Sequence, residues 1–434
     1  MSSSIHKLEE NHSGKDYIIG DVHGNAHLLN EVIAQLTPKD RLFIVGDLFD
    51  RGGGEVDVYK TIFSHPNIYA VQGNHEDMLL KACSPHATET DIRSFLQNGG
   101  SWVLRDAFDR DALNKHMEHT GHNPYSLKDL FMASPKVPEL QEITGYVQDL
   151  PYVIQVGSSG HAFNVCHADL PFSDHDLDVL SRSQMALPDK AKQHVMWARE
   201  KSANGPTFAK EGGRHPDSSV VYCGHNILET SDDAIRTATN HVNLDGGAYY
   251  SDCFILVNHT DQQAKLIYPQ EQTHLDIDPL HQEAAKKITL HLHQNAKMSR
   301  VRKETQSSID HLRVEQAGLH KLKAVDGSIK TKYQPLESCI NALDESYQAW
   351  NKHLTEGDLS TLRDKIDDLE VALQEVMKPK EGCSIKMIQA LRGKDRASID
   401  CLKNMQAQIA KLKTTIKDFA ETPANQNHAI HRHH

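Results

Sequence analysis

Short apolar runs recur through the first 260 residues: Tyr17-Ile18-Ile19, Leu42-Phe43-Ile44-Val45, Ile68-Tyr69-Ala70-Val71, Ala162-Phe163-Asn164-Val165-Cys166 and Ser219-Val220-Val221-Tyr222-Cys223. Runs of this length, rich in β-branched and aromatic residues, predict strands with both faces buried. After the first run, Leu28, Leu29, Val32, Ile33 and Leu36 recur near helical spacing and stop at Thr37-Pro38, which predicts a helix. The alternation predicts an α/β domain over residues 15–265, after a disordered start at 1–14. Residues 82–145 hold Pro85, Pro124, Pro135 and Pro138 and read as an insertion of helices and loops.

Past residue 279 the strand pattern gives way to stripes three and four apart. Leu336, Ile340, Leu343, Tyr347, Trp350 and Leu354 form one. Leu362, Ile366, Leu369, Leu373 and Val376 form a second, after a Gly357-Asp358-Leu359-Ser360 break where Ser360 is expected to cap a new helix. Leu402, Met405, Ile409, Leu412, Ile416 and Phe419 form a third, and a further helix is expected over 280–323. Short connections imply antiparallel neighbours, so residues 279–420 read as an α-helical hairpin or small bundle. About two heptads per helix is short for a free-standing coiled coil. The histidine-rich end at 421–434 reads as a frayed tail.

Composition narrows the classes. The chain has 434 residues, 38% of them hydrophobic, and a formal net charge of -12; its mean hydropathy is -0.55. A polyanion of this size is repelled by nucleic acid and by anionic membranes. No apolar stretch approaches the ~20 residues of a membrane span, and the Met1-Ser2-Ser3-Ser4 start lacks a secretory pattern, so a cytoplasmic protein is expected. Seven cysteines without a CxxC pair argue for reduced thiols. Histidine, at 29 residues, is too common for any single one to carry weight. The group His116, His119 and His122, which has no partner motif, reads as a solvated surface.

The strand ends are chemically pointed. Three runs end in Gly20-Asp21-Val22-His23-Gly24-Asn25, Gly46-Asp47-Leu48-Phe49-Asp50-Arg51-Gly52 and Gly73-Asn74-His75-Glu76, and two more in Cys166-His167 and Cys223-Gly224-His225. Carboxylate, amide and imidazole are the oxygen and nitrogen donors that divalent metals choose. An aspartate after a strand is ordinarily a turn or helix cap. That reading fails for Asp21 and Asp47 together, with His23, Asp50-Arg51 and Asn74-His75 around them. Cys166 and Cys223 lack the phosphate-cradling loop of a thiolate nucleophile and read as buried strand residues.

The blocks GDVHGN, GDLFDRG and GNHE, with His167 and His225 beyond them, resemble the phosphoprotein phosphatases, a branch of the calcineurin-like metallophosphoesterases. Lesser marks are Asn98-Gly99-Gly100, Leu150-Pro151-Tyr152, Trp197-Ala198-Arg199 and Leu244-Asp245-Gly246-Gly247-Ala248. The resemblance covers about residues 15–260. It implies a β-sandwich flanked by helices and two divalent ions, manganese favoured over iron or zinc. Asp21 and His23 would hold one ion and Asn74, His167 and His225 the other, with Asp47 bridging. A metal-bridging hydroxide would attack the phosphate monoester, with His75 as general acid oriented by Asp50. Arg51 would clamp the phosphate, helped by Asn74 and, on a shorter match, by Arg199. Asp245 reads equally as a hydrogen-bond partner of a metal histidine or as the turn residue before Gly246-Gly247. Glu76 reads as a structural hydrogen bonder. Residues 82–145 would lie over the site, and 182–217 would form a mobile loop near the substrate.

Three details depart from the eukaryotic serine/threonine enzymes: Ala168-Asp169 after His167, Asn226 after His225, and the Gly52-Gly53-Gly54 run. These and the helical tail resemble the Wip group of Legionella effectors, which includes a tyrosine-directed phosphatase. Phosphotyrosine proteins are then the favoured substrates, the tail would position a host partner, and an effector would be delivered into the host cytosol. The alternatives are a serine/threonine-directed phosphatase, a dinucleoside polyphosphate hydrolase and an inactive scaffold acting through its helices. The hydrolases of dinucleoside polyphosphates usually carry Asn at the position of Asp50.

Overall fold

In the computed structural model, residues 4–105, 107–118, 126–157, 162–183, 186–199, 219–236, 240–269, 278–323, 330–353, 356–377 and 396–420 are described. The chain divides into two compact units, Met1–His293 and Gln294–His434.

The first unit holds two sheets. One contains β1 (Ile5–Leu8), β5 (Val153–Val156), β6 (Phe163–Cys166), β7 (Val220–Cys223), β8 (Ile235–Arg236) and β9 (His241–Asn243), in the order β1-β5-β6-β7-β9-β8. The other contains β2 (Asp16–Ile19), β3 (Arg41–Ile44), β4 (Ile68–Ala70), β10 (Phe254–Asn258) and β11 (Gln263–Ile267), in the order β11-β10-β2-β3-β4. The near-continuous apolar runs arise from burial on both faces, because successive side chains point to opposite sides. Ile18 and Phe43 face the other sheet and pack with Phe163, Val165 and Tyr222. Their neighbours Ile19, Leu42 and Ile44 face helices on the far side. Fully burying each such side chain contributes roughly 1.5–3 kcal/mol.

Around the sheets lie α1 (Ala26–Ile33), α2 (Glu55–Ser64), α3 (Asn74–Ala82), α4 (Glu89–Gln97), α5 (Ala107–Glu118), α6 (Leu127–Ala133), α7 (Leu140–Asp149), α8 (Asp174–Ser183), α9 (Asp189–Trp197) and the short α10 (Ala248–Ser251). Asn25 caps α1 by accepting from the Leu28 N–H at 3.1 Å. The expectation of a mixed α/β sandwich with a helical C-terminal region is met.

Three expectations about organisation need correcting and one is refined. The disordered start expected at 1–14 does not hold for its described part, from Ser4 onward: Ile5–Leu8 pairs in parallel with β5, and Ile5 is buried among Val153, Leu170 and Val221. The described part of 82–145 is mainly helical, as expected, and it also helps to build the core. Phe95, Phe131, Ile143 and Val147 share one apolar core with Ile19 and Leu42, so α4–α7 form a wall of the domain. The stretch 182–217 is not all loop, since it contains α9; residues 200–217 lie outside the described ones. Lastly, the boundary expected at 265–279 falls inside a helix. α11 (Pro279–Lys323) begins in the first unit, where Ala284, Ala285, Ile288 and Leu292 pack with strand residues.

The second unit takes the rest of α11 with α12 (Lys330–His353), α13 (Glu356–Met377) and α14 (Arg396–Ala420). The three predicted stripes meet in a single core that includes Ile340, Trp350, Leu362, Leu373, Ile409 and Phe419. Ser360 does not cap α13, which already starts at Glu356; Gly357 is tolerated in a first turn because helix ends carry fewer backbone constraints. The tail at 421–434 lies outside the described residues. Among the described residues no helix is long and apolar enough to cross a membrane.

Candidate active site

The five motif loops all leave the carboxyl ends of parallel strands, where open α/β sheets gather ligands. β2, β3 and β4 lead to Asp21, Asp47 and Asn74, while β6 and β7 lead to His167 and His225. The turns are strained. Of the eight non-glycine residues with left-handed backbone among the described residues, five carry this site: His23 (φ 46°), Asp47 (48°), Asp50 (70°), Arg51 (74°) and His225 (66°). Such conformations persist only where their surroundings over-determine them.

Asp47 is the centre. Its Oδ2 lies 3.7 Å from His23 Nε2, and its Oδ1 lies 3.3 Å from His167 Nε2. The Asn74 Oδ1 stands 2.8 Å from both His167 Nε2 and His225 Nδ1. Two donor triples result, His23–Asp47–His75 and Asp47–His167–His225, and Asp47 belongs to both. The imidazoles are aimed from behind: His23 Nδ1 donates to the Phe49 carbonyl at 3.0 Å and His167 Nδ1 to that of Val45 at 2.9 Å. Each Nε2 is thereby turned to the centre, as metal-binding histidines require. Glu76 holds the Asp47 turn. Its Oε2 accepts from the Asp47 and Gly73 N–H groups, each at 2.9 Å, and its Oε1 from Leu48 at 2.8 Å. A Cβ at Gly73 would come within 2.2 Å of Asp47 Oδ1, so only glycine fits there.

The donor set suits divalent cations. Asp21, Asp47 and Asp245 are all buried. Burial, then the charges of Asp245 and Asp47, raise Asp21 well above the usual carboxylate range. Asp245 is pushed up to about 6 by burial, with Asp47 adding to it. Burial also pushes Asp47 up, but His167 and His75 outweigh it and hold Asp47 well below its ordinary value. His23 and His225 are depressed to about 3, chiefly by burial. At His167 burial works downward, but Asp47 outweighs it and raises the imidazole; a cation bound among these crowded carboxylates would displace that proton and neutralise their charge.

His75 is tied differently. Its Nδ1 lies 2.6 Å from Asp50 Oδ2, and its Nε2 accepts from Arg51 Nη2 at 3.0 Å. Burial lowers His75 to about 4 and raises Asp50 well above its usual range. Trp102 Nε1 donates to Asp50 Oδ1 at 2.6 Å. Sequence reasoning missed Trp102, although it comes two residues after the Asn98-Gly99-Gly100 mark and is one of only three tryptophans.

The remaining candidates lie around this centre. Asp21 accepts from the His225 N–H at 3.1 Å through Oδ2. Arg199 is exposed just beyond α9, and its charge helps depress His75 and His225. Its neighbour Trp197 donates to Asp77 of α3 at 3.1 Å. Of the two readings of Asp245, the turn bond forms: Oδ1 accepts from the Gly247 N–H at 3.0 Å. Among the described residues it bonds to no site histidine, and it acts on Asp21 through charge. Cys166 and Cys223 are buried in their strands, as expected, and Arg236 Nη2 donates to Cys223 Sγ at 3.7 Å. His116 lies on α5, while His119 and His122 fall outside the described residues.

Comparison with known proteins agrees with this geometry. The family model of the calcineurin-like phosphoesterases matches residues 17–305. The chain belongs to that family. It is 26% identical to serine/threonine-protein phosphatase 2 of Escherichia coli (strain K12) over 255 residues, 57% of this chain and 94% of that protein. A 68-residue segment is 41% identical to a symmetrical bis(5'-nucleosyl)-tetraphosphatase of Serratia proteamaculans (strain 568), covering 15% of this chain and 24% of that protein. A solved protein serine/threonine phosphatase from Saccharomyces cerevisiae superposes with a TM-score of 0.39 at 16% identity, over 63% of this chain and 86% of its own. This calcineurin-like phosphoesterase is therefore a metal-dependent hydrolase of phosphoesters.

Proposed function

We propose that this phosphoesterase is a two-metal phosphoprotein phosphatase, with phosphotyrosine as favoured substrate and manganese as favoured metal. The observation that carries the reading is the Asp47 carboxylate, whose two oxygens face histidines of two different triples. Asp21, His23 and Asp47 would hold one ion, and Asp47, Asn74, His167 and His225 the other. A bound pair would acidify water and neutralise phosphoryl charge.

The chain's own groups supply the rest. Arg51 presents a planar fork able to take two phosphate oxygens, and Arg199 adds positive charge at the rim. His75 protonates the leaving oxygen. Its pKa of about 4 describes the free site; a phosphate dianion next to the ring favours the imidazolium, and Asp50 on Nδ1 steadies it. The acid form is thus produced by the substrate that needs it.

A protein substrate is supported by the match spanning 94% of a serine/threonine-protein phosphatase. The tyrosine preference, and a host partner for the helical unit of an effector, rest on the resemblance to the Wip group. The dinucleoside polyphosphate reading has a short matched segment behind it; Asp50, paired with His75, stands against it. Metal-stripped protein assayed with manganese restored on matched phosphotyrosine, phosphoserine and phosphothreonine peptides tests the reading, with Asp47→Ala as control. Metal-dependent turnover of phosphotyrosine alone is the expected result. Turnover of phosphoserine or phosphothreonine alone removes the tyrosine preference, and turnover of dinucleoside polyphosphates alone removes the protein substrate.

A further inference from the structure

Arg51 is an unusual cation. It is held in left-handed backbone (φ 74°), directly after Asp50 in the same conformation (φ 70°). Among the described residues no carboxylate pairs with it; Nη1 donates to His23 Nε2 at 2.9 Å and Nη2 to His75 Nε2 at 3.0 Å. Its stem is pressed by Gly99, where a Cβ would come within 3.0 Å of Arg51 Cγ. Its head lies on an aromatic ring, with Cζ 4.9 Å from the centroid of Tyr249.

Tyr249 is itself wedged in place. The ring meets His23 edge-on at 5.5 Å and Tyr250 edge-on at 5.0 Å. It is carried on α10 between two left-handed residues, Gly247 (φ 66°) and Asp252 (φ 47°). Asn25, from the loop that bears Asp21 and His23, donates through Nδ2 to Asp252 Oδ1 at 3.1 Å and to the Ala248 carbonyl at 3.4 Å. The shelf and the metal loop are thus joined by side-chain bonds. Yet Tyr249 is 40% exposed, so core burial does not account for an aromatic residue here.

We propose that Tyr249 is the positioning residue for the Arg51 guanidinium and thereby sets the affinity of the site for phosphate. The inference rests on the role given to Arg51 under the proposed function. Its logic is one of lone pairs. A metal on His23 Nε2 would take the pair that accepts from Nη1, and a phosphate oxygen accepting from Nη2 would draw that N–H away from His75 Nε2. Neither histidine could then hold the guanidinium, and the face of Tyr249 is the contact that survives. A flat cation on a fixed ring keeps both edges free, which is the geometry for forking onto an oxyanion.

The test is the affinity of full-length, manganese-loaded protein for inorganic phosphate, read by calorimetry, in wild type, Tyr249→Phe, Tyr249→Leu, Arg51→Ala and the Arg51→Ala/Tyr249→Leu double variant. Tyr249→Leu should weaken phosphate about 3- to 30-fold, the range that a cation–π contact supplies, and raise KM by a similar factor. Tyr249→Phe, which keeps the ring, should stay within about twofold of wild type. In the Arg51→Ala background the leucine should cost nothing more, since the ring would have no cation to hold. An equal loss with and without Arg51 overturns the positioning role while leaving Arg51 as the clamp. Unchanged phosphate affinity in Arg51→Ala overturns the clamp itself, and the positioning role with it.

Discussion

A buried carboxylate can orient a histidine only if its own rotamer is held, and at Asp50 that task falls to Trp102. Without the indole N–H, Oδ1 is buried with one partner fewer, at a cost of about 1–3 kcal/mol. Trp102→Phe keeps most of the ring volume beside Phe49, whose ring lies 5.7 Å away, but removes the donor. We expect kcat to fall about 10- to 100-fold, as for other partners that orient a site from behind, with phosphate affinity unchanged. Steady-state kinetics alongside phosphate calorimetry checks this; a fall in phosphate affinity with kcat intact would show that Trp102 serves binding instead. The candidate donors that meet around Asp47 were legible in the sequence because they sit in contiguous blocks at strand ends. Trp102 and Tyr249 were not, because each reaches the site from another element and no local spacing records that contact. Glu76 lies between these cases: its place in the GNHE block pointed to a structural bond, but its three N–H partners on two loops could not be read from spacing.

Among the elements, strands were readable in proportion to how many faces they bury. β3 runs Leu42-Phe43-Ile44 without a polar break because the sheets claim one face and the helices the other. β1 reads Ile-His-Lys-Leu, with only Ile5 fully buried, and so resembles a polar terminus until its partner strand is in place. α9 was hidden likewise, since Asp189, Lys190 and Lys192 mask the buried pair Val195 and Met196. The three C-terminal stripes were plain because each bundle helix turns one continuous apolar face inward. β1 nonetheless matters to stability. Ile5 is 3% exposed, and truncating a core isoleucine costs about 2–5 kcal/mol. Ile5→Ala should therefore lower unfolding free energy by about 2 kcal/mol in denaturant titration, near the low end because the strand is at an edge. Lys7→Ala, which removes only a partly exposed ion pair with Asp178, should change it by about 0.5 kcal/mol or less. Equal effects would mean that β1 adds backbone pairing but no core.

On the scale of the whole molecule, the first unit holds the chemistry. The crowding of Asp21, Asp47 and Asp245 predicts that metal and folding are coupled, because whatever binds the native state alone stabilises it by mass action. Melting temperature should rise steadily with added manganese and fall with chelator, and Asp47→Ala should abolish the response. A melting curve indifferent to metal would place the carboxylates' compensation within the protein. Every residue brought to the site, and all three apolar cores of the sheets and their helices, lie at or before Leu292. Among the described residues the buried core of the bundle begins at Val301. A chain ending at His293 should therefore keep its metal content and hydrolyse a small aryl phosphate within about twofold of the full chain, the change expected when no transition-state contact is lost. If turnover of a phosphopeptide drops while the small substrate is untouched, the helical unit recruits substrates. If both drop together with metal content intact, the bundle acts on the site itself, and α11, which starts in one unit and ends in the other, is the element to examine by substitution.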